Sequence, residues 1–104
     1  MKAIIERKRY DTETATEVAR WRNSYPVNDF HHYGETLYKT KGGRYFIAGS
    51  GGPLSPYAVS VGQSGHCGGQ AIRPLSQAEA IQWLEEKGRT EALETEFPDA
   101  IEDA

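Results

Sequence analysis

Phe30-His31-His32-Tyr33-Gly34-Glu35-Thr36-Leu37-Tyr38-Lys39-Thr40, then Lys41-Gly42-Gly43, then Arg44-Tyr45-Phe46-Ile47-Ala48, is the stretch on which the fold turns. Read with a period of two, Phe30, His32, Thr36 and Tyr38 fall on one face, and His31, Tyr33 and Leu37 on the other. That alternation is the mark of a half-buried strand. Lys41-Gly42-Gly43 supplies positive φ without steric cost, so the chain is expected to reverse there. Tyr45-Phe46-Ile47 returns beside it. An antiparallel hairpin therefore sits at the centre of the chain.

Working outward toward the N-terminus, Lys2 to Tyr10 opens with β-favouring residues, and Asp11-Thr12-Glu13-Thr14 suits a turn. Ala15 to Trp21 reads as a strand or as a helix capped by Asp11. Thr14, Thr16, Val18 and Trp21 fit a pleated surface better, so the strand is favoured. Asn23-Ser24-Tyr25-Pro26 breaks the run. Toward the C-terminus, residues 49–69 hold seven glycines and two prolines, with only Tyr57-Ala58-Val59 resembling an element. A loop of that length inside a compact domain is usually functional or mobile. Gln70 to Arg73 is expected as a last strand.

Ser76-Gln77-Ala78-Glu79 is a capping box, in which serine and glutamate each satisfy an orphan backbone N–H. Leu75 and Ala80 occupy the staple positions, and Ala80, Ile81 and Leu84 with Trp83 make an apolar stripe that Gly88 should end. Thr90 can cap a second helix carrying Leu93 and Phe97, stopped by Pro98. The expected fold is α+β: an antiparallel meander of about four to five strands followed by two C-terminal helices. The single domain 1–104 divides into a β-meander (1–48), a glycine-rich loop (49–69), and a last strand with acidic helices (70–104).

At 104 residues the chain has room for one core and buries roughly two-thirds of its unfolded surface. Eleven aromatics compensate for an apolar content of only 38%, since each buries a large area. A single cysteine, Cys67, excludes an intrachain disulfide framework. The start, Met1 to Arg9, has a three-residue apolar run followed by charges, unlike a signal peptide. No apolar run approaches the length of a membrane-spanning helix. A reducing cytoplasm is the expected location.

Four candidate chemistries are legible, and each has a plainer reading. Gly65-His66-Cys67-Gly68-Gly69 matches the spacing of a nucleophile elbow, but that elbow needs a helix after it, whereas Gln70 to Arg73 looks extended. His66, as the immediate neighbour, is poorly placed as a base for Cys67. His31, His32, His66 and Cys67 are the soft ligands available, too few for a structural zinc unless an acid or a second chain joins them. Gly49-Ser50-Gly51-Gly52 lacks the Gly-Lys-Ser/Thr ending of a phosphate cradle. Arg7-Lys8-Arg9 beside Tyr10, with Arg20, Arg22 and Arg44, could form a basic face for nucleic acid. The net charge of −3 argues against that, and a charge-protected edge strand is the plainer reading. No catalytic residue, metal or cofactor is expected, and a small enzyme or metalloprotein centred on His66 and Cys67 is the alternative.

The charge itself is unevenly placed. Residues 85–104 carry eight acids against Lys87 and Arg89, a net of −6, while residues 1–84 carry ten bases against seven acids, a net of +3. An acidic end of this kind can occupy a basic groove built for nucleic acid, and a solvated helix face with a frayed tail is the plainer reading. The residues expected to carry binding are Glu85, Glu86, Glu91, Glu94 and Asp99, with Tyr57 as an aromatic anchor in the 49–69 loop.

Lys8-Arg9-Tyr10-Asp11-Thr12-Glu13-Thr14-Ala15, Asp29-Phe30, Glu35-Thr36-Leu37-Tyr38, Gly43-Arg44-Tyr45-Phe46, Gly51-Gly52, Ser55-Pro56-Tyr57, Pro74-Leu75-Ser76, Glu79-Ala80 and Trp83-Leu84-Glu85 together give the chain a whole-length likeness. It resembles a family of small proteins carried by bacterial phages and other mobile elements, some of which are anti-CRISPR inhibitors. The resemblance implies a non-enzymatic inhibitor that binds a host CRISPR effector, a type I surveillance complex favoured over a single-protein effector. It brings no catalytic residue with it, and the Gly62 to Gly69 run departs from the family's pattern. The expectation is a monomer or weak dimer without direct nucleic-acid contact, and an accessory structural protein of the mobile element is the remaining reading.

Overall fold

The computed structural model describes residues 1–63 and 65–104. In chain order the elements are β1 (Lys2–Ile5), β2 (Lys8–Asp11), β3 (Thr16–Arg22), β4 (Tyr33–Lys39), β5 (Tyr45–Gly51), β6 (Val59–Val61), β7 (Gly65–Cys67), β8 (Gly69–Leu75), α1 (Gln77–Glu86), α2 (Thr90–Glu96) and a 3-10 turn (Pro98–Ala100). Strands β3-β4-β5-β8 form one antiparallel sheet in that order, and β1-β2 and β6-β7 are separate two-stranded ribbons. The fold is α+β, a four-stranded antiparallel meander followed by two C-terminal helices, as expected.

The period-two pattern decides which way each side chain points. Leu37 stands opposite Ile47 and next to Ala19 in the register, and all three are buried with Tyr45, Ala80, Trp83, Leu84 and Phe97. That is the main core: one sheet face under the two helices. Phe46 points to the other face, where Tyr38 stacks on it and Tyr10 meets it edge-on with centroids 5.5 Å apart. Thus the β1-β2 ribbon covers one end of the sheet face opposite the helices. In α1 the capping box is complete: Glu79 N donates to Ser76 Oγ at 3.1 Å and Ser76 N donates to Glu79 Oε1 at 2.8 Å. Gly88 takes a φ of +66° just past the helix end, the left-handed position that glycine fills without strain.

Four boundaries differ from the sequence reading. The strand expected over Lys2 to Tyr10 is two strands, turned by Glu6 (φ 52°) and Arg7 (φ 68°). Such a tight turn is normally flagged by Asn or Gly, and neither stands here. The strand expected from Phe30 starts at Tyr33, because Asp29 caps a turn: its carboxylate accepts from His31 N at 2.8 Å and its carbonyl from His32 N at 3.1 Å. The 49–69 stretch is not a single loop: β5 runs on to Gly51 and pairs with β8 as far as Gly69, and β6-β7 stands between them. Finally, α2 is entered from Arg89 rather than capped by Thr90, and no side chain caps it.

Candidate functional site

The five acids expected to carry binding lie on the helix layer. Glu85 and Glu86 end α1, Glu91 and Glu94 lie on α2, and Asp99 is in the 3-10 turn. All five are exposed, and none has a cationic partner within 4.0 Å among the described residues. Glu91 and Glu94, three apart on one helix, have Cβ atoms roughly 5–6 Å apart. Glu91 lies in the first turn of α2, where the helix dipole favours an acid, but the placement of Glu85 and Glu86 does not serve α1. Glu85 and Glu86 occupy the last turn of α1, which has no basic residue, and the negative pole of the helix dipole disfavours acids there. Glu86 takes one polar contact, from Gln82 Nε2 at 2.9 Å.

Glu96 is different, because it turns inward. It accepts from Tyr45 Oη at 2.6 Å and pairs with Lys39 Nζ at 3.0 Å, tying α2 to the ends of β4 and β5. The Tyr45 hydroxyl, and then Lys39, hold its carboxyl below the usual carboxylate range.

Behind the helices lies a feature that the sequence reading passed over. Glu35, in the middle of β4, is buried with only 9% of its surface exposed. Its carboxylate accepts from Tyr57 Oη and from Trp83 Nε1, the latter at 2.9 Å. Arg73 and Lys87 stand 3.7 and 4.0 Å away, and the Lys87 ammonium lies 3.8 Å from the centroid of the Trp21 ring. One carboxylate thus joins the 49–69 segment and α1 to strands β4 and β8, and Lys87 carries the cluster on to Trp21 of β3. Gly49 makes room for this arrangement, since a Cβ there would collide with the Tyr57 ring. Burial, reinforced by the Glu35 carboxylate, pushes the Tyr57 phenol well above its ordinary range. The signal was present: Glu35 shares the odd-numbered face of Tyr33 and Leu37, so an acid stands on the apolar side of a strand.

Tyr57 is therefore not an outward anchor. It is partly buried and its hydroxyl is occupied. The apolar side chains that do project lie nearby: Phe30 and Leu54 are 63% and 56% exposed, and Leu54 N donates to Phe30 O at 2.8 Å.

His66 and Cys67 are exposed on β7, where His66 pairs across from Ser60 and Cys67 from Val59. Extended chain follows them into β8 rather than a helix. Among the described residues no three His, Cys, Asp or Glu side chains come together in a metal-holding group, and His31 and His32 lie in the turn before β4. No helix of the described residues is long and apolar enough to cross a membrane.

Set against known protein families, curated proteins and solved structures, the chain matches none of them.

Proposed function

We propose that this chain is a non-enzymatic inhibitor of mobile-element origin that docks on a host CRISPR effector, a type I surveillance complex, through its acidic helix layer. The observation that supports this most directly is the set of five exposed acids, Glu85, Glu86, Glu91, Glu94 and Asp99, none of which has a cationic partner within 4.0 Å among the described residues. Two of them sit where they oppose the helix dipole, so local stability does not account for them. Presented on helices pinned to the sheet by Glu96 and Trp83, such charges suit a basic channel that otherwise receives a phosphate backbone.

The test is target-DNA binding by a purified type I surveillance complex with the protein added at increasing concentration. The expected outcome is loss of DNA binding, with inhibition weakening steeply as salt rises because exposed charges are screened within about 8–10 Å. Single exposed charges contribute little, roughly 0.2–1 kcal/mol each. Glu91→Lys combined with Glu94→Lys should therefore weaken inhibition about tenfold while leaving the circular dichroism melt in place. Unchanged inhibition by that double variant would sink the acidic docking face.

A further inference from the structure

We infer that the opposite face of the sheet carries a second docking surface, a basic groove that takes single-stranded nucleic acid by its phosphates. The groove lies between the β1-β2 ribbon and the β4-β5 turn. It has a volume of about 380 Å³ and is lined by Lys8, Arg9, Lys41 and Arg44 with Thr14 and Thr40. All four cations are exposed, and none has an acidic partner within 4.0 Å among the described residues.

The residues meet here for structural reasons. The Glu6-Arg7 turn folds β2 back so that Tyr10 packs on Phe46, and this seats Lys8 and Arg9 over the strand end that Arg44 leaves. Arg44 shares the Phe46 side of β5 by alternation. Along the same sheet face Arg22 stands opposite Gly34 and adds a further cation, whereas Arg20, opposite Thr36, is already paired with Glu17 at 2.6 Å.

A net charge of −3 does not oppose this, because the charge is separated by layer. Residues 76–100, which form the helix layer on the far side of the sheet, carry seven acids and two bases, a net of −5. Packed layers stand about 10 Å apart, so the two charged faces are separated by a little more than one Debye length of about 8 Å at physiological salt. Four unpaired cations around a narrow groove then act as an isolated positive site. Phosphates of one strand fit such a groove, and the hydroxyl of Thr40, whose oxygen accepts from Arg44 N at 3.0 Å, can donate to a non-bridging oxygen. Tyr10 is buried and Tyr38 is already stacked on Phe46, so base stacking contributes little and sequence preference should be weak. This surface is distinct from the acidic one, and its failure leaves the proposed function untouched.

The experiment is fluorescence anisotropy of the full chain with short labelled single-stranded RNA and DNA of mixed sequence. Saturable binding at low salt is expected, with a log–log salt slope of about −3, from roughly 0.7 per phosphate for a single strand and four contacts. Lys8→Glu with Arg44→Glu should weaken binding at least tenfold, and Lys41→Ala with Arg44→Ala, both in the exposed turn region, serves if the first pair fails to fold. Glu91→Lys with Glu94→Lys, on the other face, should leave it within about twofold. Absence of saturable binding, equal affinity for a duplex of the same sequence, or unchanged affinity in both groove variants would overturn the proposal. So would salt-sensitive self-association that the groove variants abolish, because the groove would then be receiving the acidic layer of a second copy.

Discussion

A buried carboxylate is costly unless its charge is paired and its oxygens are hydrogen-bonded. Glu35 meets both conditions with Tyr57, Trp83, Arg73 and Lys87. Removing one donor leaves it under-satisfied, so Tyr57→Phe should cost about 1–3 kcal/mol in a denaturant melt although only a hydroxyl is lost. The same residue gives a pH signature. Its phenol is held above the ordinary value by burial and by Glu35, so the folded state keeps a proton that the unfolded state releases. Stability from this group is complete below the ordinary phenol pKa of about 10 and falls as pH climbs beyond it. Tyr57→Phe should flatten that alkaline limb. An equally steep limb in the variant would show that Tyr57 is not its source. None of these four partners could be assigned to Glu35 from the sequence, because Trp83 lies 48 and Tyr57 22 positions away. Only the misplaced acid in an apolar alternation was readable.

Elements differ in how openly their residues announce them. The β4-β5 hairpin was legible because its alternation and its glycine turn agree, and α1 because capping box, stripe and Gly88 agree. The Glu6-Arg7 turn was not, since its residues lack the usual preference for positive φ, and packing of Tyr10 on Phe46 is what holds the ribbon in place. The β6-β7 ribbon was hidden by its glycines, and its pairing with itself needs no apolar face. The acidic helices, read correctly as elements, make a prediction of opposite signs. Glu85→Lys places a base at the negative pole of α1 and should raise stability by roughly 0.3–1 kcal/mol at low ionic strength. The same change should weaken inhibition of the surveillance complex. A variant that is both more stable and fully inhibitory would remove Glu85 from the docking face.

For the whole molecule, the sheet separates two layers of opposite charge and two cores of unequal size. The larger, under the helices, gathers Leu37, Ile47, Leu84 and Trp83, and the smaller is the Tyr10, Phe46 and Tyr38 group. Local stability should follow this division. In native-state hydrogen exchange, the amides of Leu37, Phe46 and Ile47 are expected to be the slowest. Those of 59–61 and 65–67, exposed throughout, should exchange faster by several orders of magnitude. Comparable protection in β6-β7 and β4 would mean that the ribbon is held by contacts beyond its own pairing. The charge separation could not be read from composition, since a net value averages over layers that the sheet keeps apart.

The junction at Glu35 also constrains how the sequence can change over evolutionary time. An apolar residue at position 35 would strand Arg73 and Lys87 without their counter-charge and leave the Tyr57 hydroxyl and Trp83 indole without an acceptor. Drift through single substitutions is therefore blocked at this point. Sister sequences should carry position 35 acidic together with donors at 57 and 83, or should have exchanged the whole set for an apolar one. Covariation among positions 35, 57, 73, 83 and 87 is the trace this leaves, and Gly49, which admits the Tyr57 ring, should travel with them.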